Sequence, residues 1–168
     1  AKIPDVLLGD DLQAKKQALD IMPHKIPTET KGSRKMYDVF HAEFKDKRSA
    51  GWVVKASGGG YADTIEIIFG LDPSINIITG IYILDQKETP GLGNKIIEEK
   101  WRHQFVNKST DHPLQVVKTG KKSAWDIDAI TGATISSDSV VAIINKSIAD
   151  LKKPISEKLS SANSGGKK

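Results

Sequence analysis

Apolar positions come in two rhythms along this chain of 168 residues. Short β-branched and aromatic runs over 36–44 and 51–56 have the length and composition of strands. Two further runs, 64–69 and 75–84, flank the turn-forming cluster Asp72-Pro73-Ser74-Ile75, which predicts an antiparallel hairpin. Residues 114–118 read as one more strand. The second rhythm is helical. Val140, Val141, Ile144, Ile148 and Leu151 recur at helical spacing, with Ser136, Ser137 or Asp138 as cap and Pro154 as stop. A helix is also expected from Asn94 through Ile96, Ile97, Lys100 and Trp101, with Phe105 on the face of Trp101 if it continues. Near the start, Asp10 or Asp11 caps a short helix carrying Leu12, Leu19 and Met22 until Pro23, and 27–33 reads as a polar connection.

Hairpin strands mixed with separate helices predict an α+β domain, a mainly antiparallel sheet with packed helices, and not a doubly wound sheet. The length suits a single domain with a sizeable core. Its expected extent is 1–153, followed by a flexible tail over 154–168 whose last residues, S-S-A-N-S-G-G-K-K, have linker composition.

Composition narrows the chemistry. Apolar residues make up 38% and charged residues 27%, a globular balance with net charge +4. The only arginines are Arg34, Arg48 and Arg102, so the positive charge is a lysine surface without the Arg forks that read base edges. This argues against nucleic acid as a partner. With no cysteine, thiolate-ligated clusters, disulfides and cysteine nucleophiles are excluded. His24, His41, His103 and His112 are scattered, with no metal-ligand spacing. No run reaches the roughly 18 apolar residues of a membrane span, and an opening of Ala1-Lys2-Ile3-Pro4 suits a processed chain or an expressed fragment.

Two loops carry candidate chemistry. Thr131-Gly132-Ala133-Thr134-Ile135-Ser136 stands just before the helical run. Small residues clear space around the Thr134 hydroxyl, where the positive end of a helix dipole favours an anion such as a phosphate. A tight turn into a capped helix explains the same residues. The second loop is Glu88-Thr89-Pro90-Gly91-Leu92-Gly93. A Pro-Gly type II turn accounts for Pro90 and Gly91 but not for Glu88, Thr89 or Gly93. Gly58-Gly59-Gly60 before Tyr61 signals a sharp turn or a close backbone approach. Rossmann, Walker and G-x-S-x-G signatures are all missing, so a phosphate site here is of another design.

Taken in order, Gly60-Tyr61, the hairpin, E-T-P-G-L-G, Trp101 with Phe105, and D-A-I-T-G-A-T-I-S at 128–136 resemble a known family. It is the FMN-binding domain shared by the G subunit of the Rnf electron-transport complex and the C subunit of the sodium-pumping NADH:quinone oxidoreductase. The resemblance runs from about residue 60 to 150 and slightly favours the Rnf member. It implies that Thr134 carries FMN through a phosphoester bond made by a flavin transferase from FAD. It also implies that Asp128 and Ser136 belong to the modification pattern around Thr131, Gly132 and Ala133. The loop of Glu88, Thr89, Pro90, Gly91, Leu92 and Gly93 would lie against the flavin, with Thr89 and Leu92 as contacts. Leu92 is equally a plausible core residue.

On this reading the domain divides into an N-terminal part, 1–59, and a flavin-motif part, 60–153. The resemblance further implies an electron carrier without substrate turnover of its own, in a membrane complex that couples electron flow to Na⁺ or H⁺ translocation. Its partners would be the other subunits and the transferase. Family members have one N-terminal membrane helix, absent from this chain, and an extracytoplasmic domain at the periplasmic face. Two rivals share the fold or the surface: a flavin redox sensor, and a docking subunit that holds no cofactor.

Overall fold

Six strands hydrogen-bond in chain order into one antiparallel sheet in the computed structural model, which describes residues 2–9, 11–118, 120 and 123–165. They are β1 (Leu19–Thr30), β2 (Ser33–Phe44), β3 (Ser49–Gly59), β4 (Thr64–Leu71), β5 (Ile77–Asp85) and the short β6 (Lys108–Ser109). A parallel ribbon joins β7 (Gln115–Val117) to β8 (Asp126–Asp128). Helices α1 (Ile3–Leu8), α2 (Leu12–Lys15), α3 (Glu99–Arg102) and α4 (Thr134–Gly165) complete the fold. The expected α+β class holds. None of the described helices is long and apolar enough to cross a membrane.

The sheet is covered on both faces, which explains the unbroken burial of Ala50 to Val54 in β3. On one face Trp52, Val54, Ile67 and Phe69 pack with Val140, Ile144 and Leu151 of α4. On the other, Val53, Ala42 and Ile68 pack with Val6 and Leu7 of α1. The predicted hairpin is β4–β5. Its turn is organised by Asp72, whose Oδ1 accepts from the amides of Asn76 at 2.6 Å and Ile77 at 2.9 Å.

Several local expectations are corrected. Leu19 and Met22 belong to β1, not to a helix, and most of the expected polar connection at 27–33 is strand as well. Pro23 and Pro27 are tolerated because β1 is an edge strand, where a missing N–H need not break a second ladder. Asp11 does cap the one-turn α2, accepting from the Ala14 amide at 2.9 Å, while Asp10 lies outside the described residues.

The helix expected from Asn94 is instead a 3-10 turn (Gly93–Ile97), α3, and a second 3-10 turn (His103–Phe105). Tertiary bonds outcompete the helical ladder here. Trp101 Nε1 donates to the Asp128 carbonyl at 2.9 Å, and Arg102 donates to the carbonyls of Ile97 and Ile81. Trp101 and Phe105 still meet, edge to face, with centroids 5.3 Å apart.

Helix α4 starts at Thr134, upstream of the expected caps. Ser137 holds the approach: its Oγ accepts from the Ile130 amide and donates to the Ala133 carbonyl, each at 3.0 Å. The helix also runs through Pro154, so no structural break separates 153 from 154. An interior proline costs about 3 kcal/mol. Burial of Leu151 and Ile155 on either side offsets it, at roughly 1.5–3 kcal/mol per side chain. Of the expected flexible tail, 154–165 is helical and 166–168 lies outside the described residues.

Candidate functional site

Two turns bring the sequence motifs together. In the first, the Leu92 amide donates to the Thr89 carbonyl at 3.1 Å and Gly91 has φ +76°, the type II geometry expected of Pro90-Gly91. The Asn94 side chain accepts from the Gly91 amide and braces the turn. In the second, the Ala133 amide donates to the Ile130 carbonyl at 2.9 Å, with Gly132 at φ +80°. A Cβ on Gly132 would stand 3.1 Å from Leu92 Cδ2, so the two turns touch.

Between them opens a cleft of about 540 Å³. One wall is Thr89, Leu92 and Gly93; the other is Gly132 to Ser136, with Tyr61 at the edge. Thr134 is the first residue of the long helix α4, so the amides of that first turn point out of the helix end without intrahelical acceptors. Large apolar side chains are left exposed around the opening: Tyr61 at 66%, Ile135 at 55% and Leu92 at 43%. Leu92 is therefore not a core residue. Clustered exposed apolar groups beside a polar helix end suit a ligand with a flat apolar body and an anionic arm.

Beneath the cleft lies Glu88, only 4% exposed. Its Oε1 accepts from the Tyr61 amide at 2.8 Å and from Ser136 Oγ at 2.6 Å. Its Oε2 accepts from the amides of Ala62 at 2.9 Å and Asp63 at 3.3 Å. Burial pushes the carboxyl up, but the bonds from Ser136 and from the Ala62, Tyr61 and Asp63 amides prevail and hold it below the usual glutamate range. Gly93 is now explained. A Cβ there would fall 2.5 Å from Ser136 Oγ and 2.8 Å from Glu88 Cβ. Two of the three consecutive glycines answer to close approach: Gly58 abuts Ile143, and Gly60 abuts Ile65 and Glu88, while Gly59 has open space.

Of the sequence candidates, Thr89, Leu92, Gly93, Gly132, Ala133, Thr134 and Ser136 share the cleft lining. Pro90, Gly91 and Thr131 shape the turns but do not line it. Asp128 borders a neighbouring groove with Lys95, Trp101 and Gln104, its amide donating to Gln104 Oε1 at 2.8 Å. Tyr61 and Ile135 are cleft residues that sequence reasoning did not single out. Their only signal was an apolar residue directly beside a motif glycine or the motif threonine. A separate groove of about 370 Å³ near Lys2, Tyr82 and Arg102 contains none of the motif residues.

Known proteins share this fold and the segment that carries the two loop motifs. A sequence profile described as FMN-binding domain matches residues 60–149. The G subunit of the Na⁺-translocating ferredoxin:NAD⁺ oxidoreductase complex of Acetobacterium woodii is 42% identical over 100 residues, covering 58% of this chain and 47% of that protein. The G subunit of the ion-translocating oxidoreductase complex of Aliivibrio fischeri MJ11 is 31% identical over 119 residues, covering 70% of this chain and 56% of that one. The chain thus spans about half the length of these relatives.

Among solved structures, the C subunit of the Na⁺-translocating NADH-quinone reductase from Parabacteroides distasonis superposes with TM-score 0.62 at 23% identity. That match covers 78% of this chain and 75% of the other. NqrC of Shewanella oneidensis gives the same TM-score, 0.62, at 22% identity, covering 71% and 61%. The structures support the fold, and the profile covers more than half of the chain. This chain belongs to the FMN-binding domain family.

Proposed function

We propose that this chain carries FMN on Thr134 through a phosphoester bond and serves as the flavin-bearing electron carrier of an ion-translocating oxidoreductase complex, in the role of its G subunit. The observation that supports it best is the meeting of the Thr134 hydroxyl, an α4 N-terminus and three exposed apolar side chains on one cleft. Those residues fit the cofactor. The first-turn amides of α4 favour the remaining phosphate charge. Tyr61, Leu92 and Ile135 offer apolar cover for a planar ring, and Thr89 with the backbone of 89–93 offers polar partners to its edge.

Gly132 and Ala133 leave room at the attachment point, and Thr131, Pro90 and Gly91 shape the turns. Asp128, set apart from the cleft, is suited to recognition by the transferase rather than to flavin contact. FMN, when bound, supplies electron transfer; the protein holds it and sets its surroundings. No general acid or base is required of the chain, and no substrate turnover of its own is expected. In this reading, residues 1–153, with α4 continuing past them, form one FMN-binding domain. It faces the extracytoplasmic side, is anchored through a segment beyond this chain, and works with the other subunits and a flavin transferase.

The test is intact and peptide mass spectrometry of the exported domain co-expressed with a flavin transferase, beside Thr134→Ala. The expected result is a mass increment of FMN minus water on the peptide holding Thr134, missing in the variant. An unmodified wild-type chain would favour a docking subunit or a loosely held ligand.

A further inference from the structure

Among the described residues, Glu88 is the one side chain that ties together all three segments bordering the cleft. It stands at the head of the 88–93 loop, and its carboxylate accepts from the Tyr61, Ala62 and Asp63 amides and from Ser136 of α4. We propose that Glu88 is the positioning residue of this cleft, holding Tyr61 against the 89–93 loop and the first turn of α4, and that its charge sets the potential of the bound flavin. The proposal rests on FMN occupying the cleft.

Three features support it. The acceptor geometry uses both oxygens, each taking two donors, so the group acts as a carboxylate and not as a generic polar filler. The surroundings are shaped to admit it, since a Cβ on Gly60 would lie 2.8 Å from its Oε1 and one on Gly93 would lie 2.8 Å from its Cβ. Its direct partners Tyr61 and Ser136 line the cleft, as does Gly93, so the charge lies one residue below the cleft surface. The donors that hold it are amides and a hydroxyl, none of them a cation. A fixed negative charge there opposes the arrival of electrons on a nearby acceptor and holds its potential down.

Glu88→Gln touches both roles, because a carboxamide is uncharged and has a single acceptor oxygen, and comparison with the charge-keeping Glu88→Asp separates them. It satisfies Tyr61 and Ser136, or Ala62 and Asp63, while its NH₂ faces donors on the other side. In the flavin-free chain, amide hydrogen exchange is expected to quicken about tenfold at one or more of residues 61–63, the loss of one charge-assisted bond. In the flavin-loaded protein, Glu88→Gln is expected to raise the midpoint potential, whereas Glu88→Asp, which keeps the charge, stays nearer to wild type. Should Glu88→Gln fail to fold, Ser136→Ala serves in its place. It withdraws a donor from the carboxylate and is expected to lower the potential. Wild-type exchange and wild-type potential in the variants would overturn the proposal. A wild-type chain that takes up no FMN would sink the flavin reading and with it the claim on potential, while the exchange data still decide the positioning claim.

Discussion

Ser136 Oγ donates a 2.6 Å hydrogen bond to Glu88 Oε1, joining residues 48 positions apart at the floor of the cleft. Both partners are buried, so the bond is shielded from water and its loss leaves a charged acceptor short of a donor. Ser136→Ala is therefore expected to destabilise the domain by about 1.5–3 kcal/mol, the range for bonds to charged groups. Urea unfolding measures it, and a change under about 0.5 kcal/mol, the size of a neutral surface change, would contradict the burial argument.

The same carboxylate gives the domain an acid limit. Its folded pKa lies below the ordinary value of 4.5, so the folded state binds the proton less tightly than the unfolded chain does. The resulting stability is present above 4.5 and lost as pH falls through the lower folded value. Asp150, held low against its own burial by bonds from Tyr37 and Lys146, adds a second loss of the same sign. Glu88→Gln should flatten part of the acid slope, and a wild-type slope in that variant would show that Glu88 is not linked to folding.

Three loop glycines should respond in different ways to alanine. Gly91 has φ +76° and open space, so Gly91→Ala carries only the left-handed penalty of about 1–2 kcal/mol. Gly132→Ala adds a 3.1 Å approach to Leu92 on top of a similar penalty. Gly93→Ala would drive its Cβ to 2.5 Å from Ser136 Oγ and should disturb the Glu88 bond as well, costing about 1–3 kcal/mol. Thermal melts combined with amide exchange at 61–63 distinguish them. Only Gly93→Ala should affect the latter.

Tyr37 ties β2 to α4 from within the core, its hydroxyl donating to Asp150 Oδ2 at 2.6 Å. Tyr37→Phe is expected to cost about 1.5–3 kcal/mol and to bring acid unfolding to higher pH. Burial and the Asp150 carboxylate push the phenol above its ordinary value of 10.0. Wild-type stability should accordingly fall as pH rises beyond 10.0, where the unfolded chain ionises first. Equilibrium unfolding from neutral to strongly alkaline pH checks this arm, which Tyr37→Phe should remove.

Exposed cleft residues should behave oppositely. Tyr61→Ser and Ile135→Ser remove side chains 66% and 55% exposed, so stability should stay within about 0.5 kcal/mol of wild type. In the flavin-loaded protein both changes should alter flavin fluorescence, through lost quenching by Tyr61 or lost apolar cover by Ile135. Unchanged spectra in both would place the ring elsewhere.

Much of the local structure follows from short-range chemistry and is legible in the chain. Asp72-Pro73 announces the β4–β5 hairpin, Pro90-Gly91 the type II turn, and the apolar spacing of Val140 to Leu151 the buried face of α4. The two loop motifs, in order, carry the family. The failures lie where neighbours in space outweigh neighbours in sequence. Pro23 and Pro27 signal breaks, yet an edge position lets a strand keep them. Pro154 signals a stop, yet the buried contacts of Leu151 and Ile155 carry the helix through it.

By itself, then, the sequence determined the α+β class, the turns and the identity of the two loops, because these depend on residue type and local spacing. Only the tertiary structure decided that Leu92 faces a cleft, that Tyr61 and Ile135 join it, and that Asp128 stands aside. It alone joined Glu88 to Ser136, since a hydrogen bond between distant residues is set by how the sheet and α4 pack.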